Sequence, residues 1–140
     1  MKYLLDTCVV SEMVKPRPKK SVVEWMLGCD EDAVYLSVLT LGEIQKGIAK
    51  LGDTRRRVKI QRWLDTDLRE RFGDRILHVS DEVACTWGTL EGEAEAKGRP
   101  VPVLDGLIGA TAIAHNLTVA TRNTGDIEGI GARVFDPWTL

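Results

Sequence analysis

Histidine and cysteine are scarce, with two His and three Cys in 140 residues. Cys8, Cys29 and Cys85 are odd in number and far apart, and no C-x-x-C is present. A disulfide framework and a zinc site are therefore not expected, and a reducing cytoplasm fits this usage best. The three thiols are expected to be small buried apolar groups. Long apolar runs are missing too. The longest uncharged stretch, Gly106 to Thr121, spans 16 residues and contains His115 and Asn116, too short and too polar for a bilayer. The first residues lose their apolar character at Asp6 after one basic side chain, so a cleaved signal peptide is not expected. Net positive charge is absent as well: 19 Lys and Arg face 21 Asp and Glu, for a net charge of −2. Binding nucleic acid through charge alone is disfavoured. An enzyme that holds nucleic acid through metal ions stays open, because the ions bring their own positive charge.

What is present is enough for one domain over residues 1–140, with 44% hydrophobic and 29% charged residues to fill a core and solvate a surface. Short apolar runs alternate with helical patterns. Tyr3–Leu5, Ala33–Leu36, Ile76–Val79, Leu117–Ala120 and Arg133–Phe135 read as strands. Between them lie stripes at helical spacing: Val22, Trp25, Met26 and Cys29, then Leu41, Ile44, Ile48 and Leu51. Ile60, Leu64, Leu68 and Phe72 form a third, and Val83, Trp87, Leu90 and Ala94 a fourth. Leu104, Leu107, Ile108, Thr111 and Ala112 begin a fifth. Ser21-x-x-Glu24 and Thr40-x-x-Glu43 match capping boxes, and Gly52, Gly73, Gly98 and Asn116 stand where helices should stop. Pro16-Arg17-Pro18 separates a short first helix from the second. Strands interleaved with helices imply an α/β fold, three-layered, with a mostly parallel five-stranded sheet and right-handed crossovers. In such sheets the ligand site lies beyond the carboxyl ends of the strands, at a topological switch point.

Four carboxylates fall at those positions. Asp6 ends the first strand, and Glu43 is placed in the first turn of the helix after the second strand. Asp105 opens the Leu107–Asn116 helix, and Asp126 follows the fourth strand. Hard oxygen ligands suit Mg²⁺ or Mn²⁺, ions that bind substrate phosphates. Without these four acids the chain would be net positive, so its acidic balance resides in them. Each acid also has an ordinary role open to it. Glu43 completes the Thr40 capping box, Asp6 and Asp105 are N-caps, and Asp126 is a turn residue. Their joint placement at strand ends favours a site.

Leu4–Glu12, Ser37–Ile44, Leu104–Ala112 and Val119–Asp126 closely resemble the motifs of the PIN-domain family. The likeness is strongest to VapC and FitB-like toxins of bacterial type II toxin–antitoxin pairs. It spans the chain in the right order. The resemblance implies a metal-dependent endoribonuclease whose acidic residues carry over to Asp6, Glu43, Asp105 and Asp126. Thr7 and Thr121 fall where a small hydroxyl residue supports the site, and Asn123 falls in the turn before the last acid. It further implies a homodimer in the cytoplasm, RNA as substrate and a cognate antitoxin protein as partner, with operator DNA touched only through the antitoxin. Gly106 and Gly109 depart from the usual alanine, and Ile127 from a frequent phenylalanine. The two glycines either permit close helix–sheet packing or loosen the helix bearing Asp105.

The remaining features are weighed against plain structural roles. Arg55, Arg56, Arg57, Lys59 and Arg62 form a basic run that either tracks RNA phosphates or is a solvated helix face. Lys15, Arg17, Lys19 and Lys20 pose the same choice. Trp25 and Trp87 are expected in the core, His115 at a helix end and His78 in a strand. A non-catalytic PIN-like module that binds RNA or a partner is the second functional reading. A phosphoacceptor receiver domain would need an acidic pair after the first strand and a functional Lys after the last, and a nucleotide-binding fold a Gly-rich first turn. The sequence supplies none of these.

Overall fold

The computed structural model describes residues Met1–Leu140. Five short strands, β1 (Tyr3–Leu5), β2 (Val34–Ser37), β3 (Ile76–Leu77), β4 (Thr118–Ala120) and β5 (Val134–Phe135), form one sheet in the order β3-β2-β1-β4-β5. Every pairing is parallel. The register sets Leu4 beside Tyr35 on one side and Val119 on the other, so β1 is the central strand.

The period of two along the strands divides the interior. Leu5, Val34, Leu36 and Ala120 belong to one core cluster, with α1 (Thr7–Glu12), α2 (Lys20–Gly28) and α3 (Val38–Ala49) packed on it. The same cluster takes Leu64, Leu68 and Phe72 from a continuous helical stretch made of α4 (Thr54–Arg62), a π segment (Trp63–Leu68) and α5 (Arg69–Phe72). Leu4 and Val119 face the other way, onto α7 (Val103–Ala114) and α8 (Thr124–Gly129), with α6 (Asp81–Ala96) packed on α7. Leu4 and Leu5 are both fully buried, on opposite faces. Each such side chain contributes roughly 1.5–3 kcal/mol of transfer free energy. The result is the three-layer α/β/α arrangement expected.

Chain direction explains the sheet order. From β1 the chain steps outward to β2 and β3 with its helices on one face, then returns to the far side of β1 for β4 and β5 with its helices on the other. Right-handed crossovers require the change of face when the direction reverses. The switch therefore falls between β1 and β4, at the ends marked by Asp6 and Thr121.

Several boundaries differ from the expectations, each for a local reason. Ser37 caps α3 by accepting from the Leu39 N–H, so that helix begins at once and Glu43 sits in its second turn rather than its first. Thr40 is then inside the helix, fully buried, and its hydroxyl finds no partner, which removes the Thr40–Glu43 capping box. The Ser21–Glu24 box also fails: Lys19 is the N-cap of α2 and the Ser21 hydroxyl is unpaired. The fifth helix starts at Val103, earlier than read, so Asp105 lies in its first turn and is not its cap. The short α8, carrying two glycines, was not anticipated, and Asp126 belongs to its first turn. Cys85 is exposed, not buried, and Cys8 and Cys29 are half-buried. His78 lies just past a strand of only two residues, whereas His115 caps the end of α7 as expected. Gly73, Gly98 and Asn116 do end helices, all with positive φ.

Candidate active site

Asp6 is held by its own turn. Its backbone N–H completes the ladder by donating to the Ala120 carbonyl, after which the chain turns into α1. The carboxylate caps that helix: Oδ1 accepts from the Thr7 N–H at 2.8 Å. Oδ2 accepts from the Thr121 hydroxyl at 2.8 Å, across the seam between β1 and β4. The Thr121 oxygen in turn accepts the Asn123 N–H at 2.9 Å, which folds the segment after β4 back toward α8. Capping thus orients the carboxylate of Asp6 without exhausting its two oxygens.

Glu43 enters from α3. Freed from the capping box, its Oε1 accepts from the Thr7 hydroxyl at 2.7 Å. Thr7 links the two acids, with its N–H on Asp6 and its hydroxyl on Glu43. Asp105 enters from the first turn of α7 and Asp126 from the first turn of α8, positions where a helix dipole favours an anion. Asp6 is buried, Glu43 and Asp105 are half-buried, and Asp126 is exposed. The Asn123 side chain makes no hydrogen bond, and this residue acts through its backbone alone.

The four acids sense one another. The Asp105 carboxyl is pushed above its ordinary value by burial first, then by the negative charges of Asp6, Asp126 and Glu43. Residues separated by up to 120 positions thereby meet in one negative field. No three carboxylates are drawn tightly enough together to ligate one ion in common. Mg²⁺ tolerates that arrangement, since it keeps several waters and takes one or two carboxylates directly. The donor set is all oxygen, and the two histidines lie elsewhere, which suits a hard cation.

Two side chains assigned no part in the site by the sequence stand near it. The Cys8 thiol donates weakly to Asp6 Oδ2 at 3.9 Å and accepts from the Arg122 N–H at 3.5 Å. Burial raises its pKa, with the Asp6 charge adding to that, so it stays a thiol. Arg122 lays its guanidinium 4.4 Å from the Trp138 ring. Near it, buried Glu12 binds Lys15 at 2.9 Å and the Lys19 N–H at 3.0 Å. Burial pushes the Glu12 carboxyl up, but those bonds and the charges of Lys15 and Arg122 outweigh it and hold the pKa below the usual range. Cys8, two residues after Asp6 in the chain, is the more legible of the two. Arg122 needed the β1–β4 pairing.

An all-parallel sheet with carboxylates gathered at the switch between β1 and β4 defines a class: a three-layer α/β/α domain that presents acidic side chains to a ligand at the carboxyl edge of its sheet. Comparison with known proteins gives it a family. The PIN domain family matches residues 3–130, and the chain belongs to it. It is 36% identical over 135 residues to the toxin FitB of Neisseria gonorrhoeae, covering 96% of this chain and 97% of that protein. It is 32% identical over 135 residues to the VapC ribonuclease Y4jK of Sinorhizobium fredii, with 96% of both chains covered. The crystal structure of FitAcB from Neisseria gonorrhoeae superposes with a TM-score of 0.93, at 36% identity over 99% of each chain.

Proposed function

We propose that this chain is the toxin of a type II toxin–antitoxin pair, an endoribonuclease that hydrolyses RNA phosphodiester bonds with the help of Mg²⁺ or Mn²⁺. One observation carries the chemistry: Asp105 lies within the fields of Asp6, Glu43 and Asp126 at the switch point of a parallel sheet. Similarity to a toxin and to a VapC ribonuclease supplies the substrate class and the kind of partner.

Asp6 and Asp105 are the principal residues holding the cation, and Glu43 and Asp126 complete its surroundings directly or through water. The cation supplies activation of water and neutralisation of charge on the attacked phosphate. The chain's own groups preset the arrangement. Thr121 fixes the rotamer of Asp6, and Thr7 fixes Glu43 relative to Asp6, so the carboxylates need little reorganisation when phosphate arrives.

The test is cleavage of a mixed cellular RNA pool by antitoxin-free protein, with Mg²⁺ or Mn²⁺, with EDTA, and with Asp105→Asn. Cutting that needs the metal and drops at least a hundredfold in the variant is the expected result. Folded protein that neither cuts nor binds metal would leave a non-catalytic PIN-like module instead.

A further inference from the structure

Charge on this chain is distributed unevenly in a way the carboxylate site does not account for. Arg55, Arg56, Arg57, Lys59 and Arg62 all lie on α4, and no acid occurs between Asp53 and Asp65. None of the five forms an ion pair or a side-chain hydrogen bond, although four other cation–carboxylate pairs form elsewhere in the fold. Such a helix face, free of partners in a chain of net charge −2, is a strong local field. It also borders a groove. Arg55, Arg56, Lys59 and Arg62 line a cleft of about 730 Å³ with the half-buried Trp63 at its wall, and Asp67 is its only acid. The cleft does not end there. Arg56, Lys15 and Trp63 also line an adjoining hollow of about 250 Å³ whose lining includes Glu43. The two hollows share Lys15, Arg56, Ile60 and Trp63 in their walls, and together they run from the basic helix to Glu43.

We propose that this path carries a single strand of RNA into the carboxylate site, with Arg56 and Lys59 holding backbone phosphates and the face of Trp63 and Val58 meeting bases. The proposal rests on the nuclease reading above and names where its substrate lies. A strand whose phosphate sits among the acids and which continues past Glu43 meets Lys15 and Arg56 in the wall of the same hollow. Interleaved apolar surface suits unpaired bases, which a duplex keeps stacked inside. Unpaired cations lose little on binding phosphate, since no internal ion pair has to break. An acidic peptide would match the charge of α4, but it would have no phosphate to place at the acids.

The measurement is anisotropy of a fluorescein-labelled, mixed-sequence single-stranded RNA titrated with the full chain in EDTA, across a salt series. Binding without divalent ions separates the path from the chemistry. Arg56→Ala/Lys59→Ala is compared with Lys97→Ala/Arg99→Ala, which removes equal charge beside the end of α6. All four side chains are exposed, so circular dichroism should be unchanged. Loss of two phosphate contacts is expected to weaken binding roughly tenfold and to reduce the slope of log affinity against log salt by about 1.4, with the control pair unaffected. With metal present, the same variant should raise KM about tenfold and leave kcat unchanged. Equal losses in both pairs, or none in the α4 pair, overturn the path. So does a variant that cuts RNA with normal KM yet loses its hold on an antitoxin segment, for then the groove serves a protein. RNA binding with the expected slope in a protein that never cuts keeps the path and retires the nuclease.

Discussion

Gly109 shows how much a single hydrogen decides. The sequence left two roles open for it, close packing or a loosened helix, and the structure supports the first. A Cβ there would overlap Ile130 Cγ2, while Ile127 and Ala132 lie at ordinary contact distance beside it. Ile130 is 2% exposed and enclosed by its cluster, so its tip has little room to yield. Gly109→Ala gains about 1 kcal/mol of helix propensity but meets an overpacking cost of roughly 1–3 kcal/mol. A lower urea midpoint, corresponding to a net loss of up to about 2 kcal/mol, is expected. A raised midpoint would mean that Ile130 moves aside and that glycine is dispensable. Residue-level features of the site were unevenly legible. Asp6 announced itself because one aspartate follows an apolar strand. Glu43 carried a false signal, since Thr40-x-x-Glu43 matches a capping box by composition alone. Only the Ser37 cap, one residue after β2, shows that the helix starts too early for that box. The bond from Thr7 to Glu43 joins positions 36 apart and had no local signature.

At the scale of elements, buried hydrophobic patterning located all five strands, while lengths and ends were set by contacts that one sequence does not display. β3 and β5 shrink to two residues because they are edges paired on one side only. The stripe Ile60, Leu64, Leu68, Phe72 holds a strict spacing of four. In an α-helix each such step drifts by about 40°, which over three steps would turn Phe72 away from the core. The π segment Trp63–Leu68 winds more slowly and brings the stripe back, leaving Leu64, Leu68 and Phe72 at most 2% exposed. The helix then stops at Gly73, and a clamp ties its end to the sheet. Arg71 donates to Glu31 at 2.8 Å, and Arg75 donates to the carbonyls of Glu31 and of Val34, the first residue of β2. The Arg71 hydrogen bond is the main reason the Glu31 carboxyl is held below its ordinary value, with both arginine charges adding and burial opposing. A carboxylate with a lowered folded pKa stabilises the fold above its unfolded pKa. That contribution fades as pH falls through the lower folded value. The stability difference between wild type and Glu31→Gln should therefore be largest near neutral pH and shrink as pH drops below about 4.5. Because Glu31 is half-exposed, solvent keeps the whole effect under roughly 1 kcal/mol. Urea unfolding of both proteins from neutral to acid pH measures it, and a constant gap would show that the pair contributes no linkage.

Across the whole molecule, the net charge of −2 conceals two opposed fields. Asp6, Glu43, Asp105 and Asp126 gather at the β1–β4 switch, and the cations of α4 stand beside them without partners. The first field is an internal cost of folding. Burial and three like charges already raise the Asp105 pKa, which means the ionised cluster opposes the native state wherever no cation offsets it. Cations bound to the folded chain reverse that cost by mass action, amounting to about 2.7 kcal/mol when the ion is at a hundred times its Kd. Two opposite shifts follow from one substitution. In EDTA, Asp105→Asn should melt higher than wild type, since one repelling charge is gone. With saturating Mn²⁺ or Mg²⁺, wild type should gain several degrees while the variant gains little, and their order should close or invert. Thermal melts at neutral pH, with and without the ion, read both. If Asp105→Asn melts lower in EDTA, the contacts of the Asp105 side chain outweigh the repulsion. If both proteins respond alike to the ion, the metal sits elsewhere, and the four acids belong to the fold rather than to its chemistry.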